Sequence, residues 1–184
     1  SVFNDYIKKY PAKEQEDRIN SYIAVAALHD RDYEGAVNAY DKIDELDDDM
    51  ILNYMKANYL RAEQLVGNGS YRLAIPCLKA AAYYSERSSR FNQLSRYWLA
   101  ESYYRNEQYD DAISVFTDLY NTSALYGQSE SYLIPYNIAY CHYNKGDYYS
   151  ALRWFDEYLK ESETDYRKEA LVRRADCYFI GKKY

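Results

Sequence analysis

The chain repeats itself, and that constrains its fold more than any other property. "EQYDDAISVFTDLYNT" at 107–122 and "GDYYSALRWFDEYLKE" at 146–161 each place a Tyr, an Ala three residues on and a Phe four further on, with polar residues between. Aligned on that opening, Tyr33, Tyr71, Tyr109, Tyr148 and Tyr184 fall into one column, separated by 38, 38, 39 and 36 residues. A period of this length means stacked supersecondary units, each of which buries its apolar face only against its neighbours.

The repeat contains two helices. Behind the first four tyrosines come Ala36, Ala74, Ala112 and Ala151, followed by Tyr40, Leu78, Phe116 and Phe155, and then Ile43, Ala81, Leu119 and Tyr158. Apolar residues at i, i+3, i+4 and i+7 describe one face of a helix, here called B. Nine residues before each tyrosine stands a second column, Ala24, Ala62, Ala100, Ala139 and Ala175, flanked by apolar and aromatic residues such as Leu99, Ile138, Tyr103 and Tyr178. It marks a second helix, A. With no side chain beyond Cβ, the two alanine columns let the paired helices approach closely, so a larger residue at Ala112 or Ala139 is expected to overpack the contact.

These residues resemble the tetratricopeptide repeat family: Ala in the middle of helix A, Tyr and Ala opening helix B, and an aromatic or Leu four residues after that Ala. "AESYYRNEQYDDAISVF" and "AYCHYNKGDYYSALRWF" carry the pattern most fully. The resemblance implies an all-α fold, with tandem antiparallel helix-turn-helix repeats stacked in a right-handed superhelix. One array over 1–184 is expected, divided into 1–11 as the end of a preceding helix B, repeats at 17–50, 51–88, 89–126 and 127–165, and helix A of a truncated repeat at 166–184. Phe3 and Pro11 then occupy the aromatic and terminating slots of the first piece, and the whole reads as a segment of a longer bacterial protein. Pro76 inside the second helix B is expected to kink or shorten it. The residues beyond the family's usual period are placed in the links "DELDDDM", "SERSS", "NTSALYGQSE" and "ESETD".

Composition narrows the function. A net charge of −6 and a pI near 5.0 lack the basic stripe that nucleic-acid backbones need, so no nucleic-acid partner is expected. No apolar run reaches a membrane span, and "SVFNDYIKKYP" has no basic segment followed by a hydrophobic one. Cys77, Cys141 and Cys177 show no CxxC or HxxxH spacing and read as packed thiols, with structural roles for His142 and His29. "GNGSY" lacks the phosphate-loop pattern, and "DELDDDM" lacks the spaced ligands of a calcium loop and reads as a solvated turn. No catalytic residues, metal or cofactor are assigned, and the chain reads as a non-enzymatic interaction scaffold.

In this family helix A lines the concave surface. The resemblance places Tyr59, Glu63, Tyr97, Glu101, Tyr104, Arg105, Tyr136, Tyr140, Tyr143 and Asn144 on a groove that binds a protein or peptide segment, with Asp176 and Phe179 from the last helix. Apolar or Pro-rich anchors are expected in the ligand, with basic residues opposite Glu63, Glu101 and Asp176. Tyrosine suits such a surface because it offers large amphipathic area with few rotamers to freeze. Packing between repeats is the competing role, expected for Tyr103, Tyr148 and Tyr178 and open for Tyr97 and Tyr136. The Lys and Asn with which some repeats of the family grip acidic chaperone tails are replaced here by Ser21, Val25, Tyr59, Glu63, Tyr97 and Glu101, so that specificity is not expected. A glycan-binding or cell-envelope assembly module is the alternative reading. The repeat style resembles bacterial periplasmic and envelope proteins, and self-association through uncapped repeat ends is a further expectation.

Overall fold

Four turns of one design set the architecture. Between each helix A and its helix B the chain passes through a left-handed residue, Arg31 (φ 60°), Gly69 (φ 74°), Glu107 (φ 60°) or Gly146 (φ 78°). Around each, the next N–H reaches back five residues: Asp32 to Ala27 O, Ser70 to Leu65 O, Gln108 to Tyr103 O and Asp147 to His142 O, at 2.7–2.9 Å. This is the Schellman closure of a helix C-terminus, and it turns the chain back antiparallel within three residues. In two of the four turns the next helix is capped at once, by the Asp32 carboxylate on Gly35 N and by the Asp147 carboxylate on Ser150 N.

The computed structural model describes residues 12–86, 89–160 and 165–181. Among these, the A helices are α1 (Ala12–His29), α3 (Asp48–Gly67), α5 (Arg90–Arg105), α7 (Ser129–Asn144) and α9 (Arg167–Gly181). The B helices are α2 (Tyr33–Tyr40), α4 (Tyr71–Tyr84), α6 (Tyr109–Asn121) and α8 (Tyr148–Tyr158), each beginning on the column tyrosine. Every helix packs on the next in sequence, and α1 also meets α3 as α5 meets α7. The fold is an all-α solenoid of tandem helix-turn-helix units, with no strand among the described residues. The preceding helix B expected at 1–11, with Phe3 and Pro11, and the column residue Tyr184 lie outside them.

The alanine columns mark where helices meet. Ala24, Ala62, Ala100 and Ala139 on the A helices and Ala36, Ala74, Ala112 and Ala151 on the B helices are all fully buried. Beside them the large B-helix positions Tyr40, Leu78, Phe116 and Phe155 fill the space between repeats. Ala175 departs from its column and is exposed, and Tyr178, expected to pack, is 44% exposed. Both sit on the side of α9 where a following helix B would lie, whereas Ala170 and Cys177, on the side facing α8, are buried.

Two local expectations need correction. Pro76 does not shorten its helix: α4 runs through it for 14 residues, longer than α2, α6 or α8. The ring removes one N–H from the ladder, but it is exposed, while Ala74, Leu78 and Ala81 of the same helix are buried on the opposite side. Packing of that face outweighs the lost bond. Pro135 likewise sits within α7. The acidic "DELDDDM" is only partly a turn. Asp47 caps α3 by accepting from Met50 N at 2.8 Å, and Asp48 and Asp49 form the first helical turn, where the helix dipole favours negative charge.

The turn design yields a paired prediction. Gly146→Ala costs about 1 kcal/mol, because a Cβ is strained at that φ, whereas Glu107→Gly is neutral or stabilising by a similar amount. Urea unfolding of both variants checks the sign; equal losses in the two would contradict the left-handed geometry of these turns.

Candidate binding face of the A helices

The tyrosines three residues before Ala62, Ala100 and Ala139 share a column but meet different partners toward the following A helix. Tyr59 of α3 sets its ring 4.6 Å from that of Phe91 on α5 and keeps partial exposure. Tyr97 of α5 is only 5% exposed, packs edge-on against Phe116 at 5.6 Å and accepts a hydrogen bond from Asn137 Nδ2 of α7 at 3.2 Å. Burial pushes its phenol up to about 12. Tyr136 of α7 stacks on Tyr166 at 5.1 Å and donates to Glu169 Oε2 of α9 at 3.1 Å. For Tyr97, of the two roles left open by the sequence, the structure shows packing.

The remaining candidates fall into two groups. On α5 and α7, Glu101 accepts from Arg105 Nε at 2.8 Å, Arg105 lies 5.7 Å over the Tyr104 ring, and Asn144 Nδ2 donates to Tyr104 Oη at 3.1 Å. On α7 and α9, Tyr140 Oη donates to Glu169 Oε1 at 2.6 Å, Arg173 lies 5.7 Å over the Tyr143 ring, and Asp176 accepts from Arg173 Nη1 at 3.0 Å. One Tyr–Asn or Tyr–Glu bond after another thus ties each A helix to the next from α5 to α9. Much of the hydrogen-bonding capacity of this row is spent within the fold.

Tyr59 and Glu63 are placed differently. They line a pocket of about 230 Å³ between α3, α4 and α5, with Ala62, Val66, Gly67, Leu78 and Trp98. Its walls are apolar and aromatic, and Glu63 brings an exposed carboxylate to it. Desolvation holds the Tyr59 phenol above its ordinary range, so it stays neutral and available as a donor. Trp98 and Val66 were not among the residues singled out from the sequence. The signal was present in the column two before the alanine: Asn137 and Arg173 there reach back to Tyr97 and Tyr140 of the preceding A helix, and Trp98 reaches back to the α3 pocket.

The thiols offer no competing chemistry. Cys141 and Cys177 are buried, and desolvation raises them to about 12 and about 11; Cys77, half-buried, is raised for the same reason. Thiols so protonated are poor nucleophiles.

Residues 59–130 match the family model for the tetratricopeptide repeat. No curated protein matches the chain. Among solved structures, the chain is similar to the nearly identical TPR-like repeats of a protein assigned as a Podosopora anserina kinesin light chain, with 14% identity and a TM-score of 0.59, over 90% of this chain and 87% of that one. A single-substitution form of those same repeats aligns with 14% identity and a TM-score of 0.60, over 92% and 89% of the two chains. At this identity the likeness concerns the fold alone. The spacing of the columns, the helix-turn-helix architecture and the match over 59–130 agree: residues 59–130 match the tetratricopeptide repeat, and the chain has the fold of a stacked array of TPR-like repeats.

Proposed function

We propose that the chain is a protein-interaction module that binds a peptide segment of a partner on the A-helix face, with one apolar side chain seated between Tyr59 and Trp98 and a basic residue beside Glu63. Tetratricopeptide repeats generally mediate protein–protein contacts, on a fold that is typically a non-catalytic scaffold. The observation that carries the finer reading is the apolar pocket between α3 and α5 with its exposed carboxylate. Its volume fits one side chain of a longer ligand, being below the roughly 300–1,000 Å³ of a drug-sized site. Glu101 and Arg105 continue the face as a charged pair, and Tyr104 and Asn144 as polar contacts.

A displayed peptide library selected on the purified protein tests this. Selected peptides should carry an aliphatic or aromatic residue close to Lys or Arg and quench the fluorescence of Trp98. Glu63→Lys, at an exposed position, should weaken them by about tenfold through charge repulsion. Peptides with no such pattern, or equal binding to Glu63→Lys, would place the ligand elsewhere.

A further inference from the structure

A second cavity lies away from the A-helix pocket, where the link between α6 and α7 folds over the end of α8. Its volume is about 230 Å³. The link is held in place by Leu125, which is 1% exposed, and passes through left-handed Ser123 and Gly127. Leu119, Leu125 and Ile134 give the cavity an apolar lining. Four tyrosines also line it, Tyr120, Tyr126, Tyr132 and the buried Tyr158. Tyr126 is 89% and Tyr132 53% exposed, and neither ring has a ring or hydrogen-bond partner among the described residues. Large aromatic rings left in water beside an apolar cavity are the kind of surface that a ligand covers.

The cavity also has a charge. Glu157 of α8 lines it and accepts from Tyr120 Oη at 2.8 Å, which joins α6 to α8. Lys160 donates to its other oxygen, and together these contacts hold the carboxyl below its ordinary range, so it is ionised at neutral pH. Lys160 is itself 68% exposed, so its ammonium is easily exchanged for another cation.

We propose that this cavity is a second interaction site, independent of the A-helix face, that takes the guanidinium of an arginine side chain from a partner protein. Guanidinium is planar, stacks on the faces of tyrosines and pairs with a carboxylate through a fork of N–H donors. Tyr126 and Tyr132 supply the free rings and Glu157 the counter-charge. The net charge of −6 favours approach of a basic segment.

The probes are Nα-acetyl-arginine amide and its citrulline counterpart, which has nearly the same shape without the charge, each titrated while the amide resonances of Tyr126 and Gly127 are followed. The arginine amide should shift them saturably and bind about tenfold more tightly than the citrulline amide. Glu157→Gln, which keeps an acceptor for Tyr120, should abolish that difference, and Tyr126→Ala, at an exposed position, should weaken arginine binding several-fold. Glu63→Lys should leave it unchanged. Equal binding of the two probes, insensitivity to Glu157→Gln, or no saturable shift overturns the proposal. Loss of the shifts in Glu63→Lys would assign the arginine to the A-helix face, sinking this site and leaving the other reading intact.

Discussion

Replacing Phe116 by Ala lowers the free energy of unfolding by about 3–5 kcal/mol. Phe116 is fully buried in the cluster that joins α3 through α7 and includes Leu78, Leu119 and Ala100, with its ring 5.6 Å from that of Tyr97. Truncation removes the transfer free energy of the ring and leaves a cavity that neighbouring helices, pinned by their own alanine contacts, cannot close. In a solenoid the cost is local, because each repeat is stabilised mainly by its neighbours. Hydrogen exchange should therefore accelerate most in α5, α6 and α7 and least in α1 and α2. Leu73→Ala on the same kind of helix, at a position 61% exposed, is the control and should stay within about 0.5 kcal/mol of the parent. A loss below about 1 kcal/mol for Phe116→Ala would mean that the aromatic column is not the packing hub of the repeat.

That column was legible because close packing leaves a periodic record. Tyr33, Tyr71, Tyr109 and Tyr148 each prove to be the first residue of a helix, and the alanines three residues later are all buried. The fates of the groove tyrosines were less legible. Tyr59, Tyr97 and Tyr136 share a column, yet one borders a pocket, one is buried and one is tied to Glu169. What separates them is the residue opposite on the next A helix: Phe91 for the first, Asn137 for the second, Glu169 and Tyr166 for the third. Those partners lie about one repeat away and do not recur at one repeat position, so periodicity shows that the tyrosines face a neighbour without showing how tightly the neighbour covers them. Trp98 does share a repeat position with Asn137 and Arg173, two residues before the alanine, but its role as a pocket wall depends on the open space beside Ala62 and Val66 of the preceding repeat, which periodicity does not show. The shortening expected at Pro76 does not occur because one lost hydrogen bond is outweighed by the buried face that holds the helix.

The strongest check on this register is a pair of identical substitutions at one repeat position. Ala139→Leu should cost about 1–3 kcal/mol, since the alanine is fully buried where α7 lies against α8 and faces a cluster containing Ala151 and Phe155, so added methylenes must push the helices apart. Ala175→Leu places the same side chain in the same column of α9, where the alanine is exposed, and should change stability by no more than about 0.5 kcal/mol. Helix propensity cannot produce the contrast, because the exchange of Ala for Leu is the same in both. Thermal or urea unfolding of the two variants reads it directly. If Ala139→Leu were harmless, the alanine column would not mark a close approach and the repeat would owe its small residues to something other than packing. If Ala175→Leu were as costly as Ala139→Leu, the outer face of α9 would be covered in the protein under test, and the contact that covers it would be made through the face by which a repeat array continues.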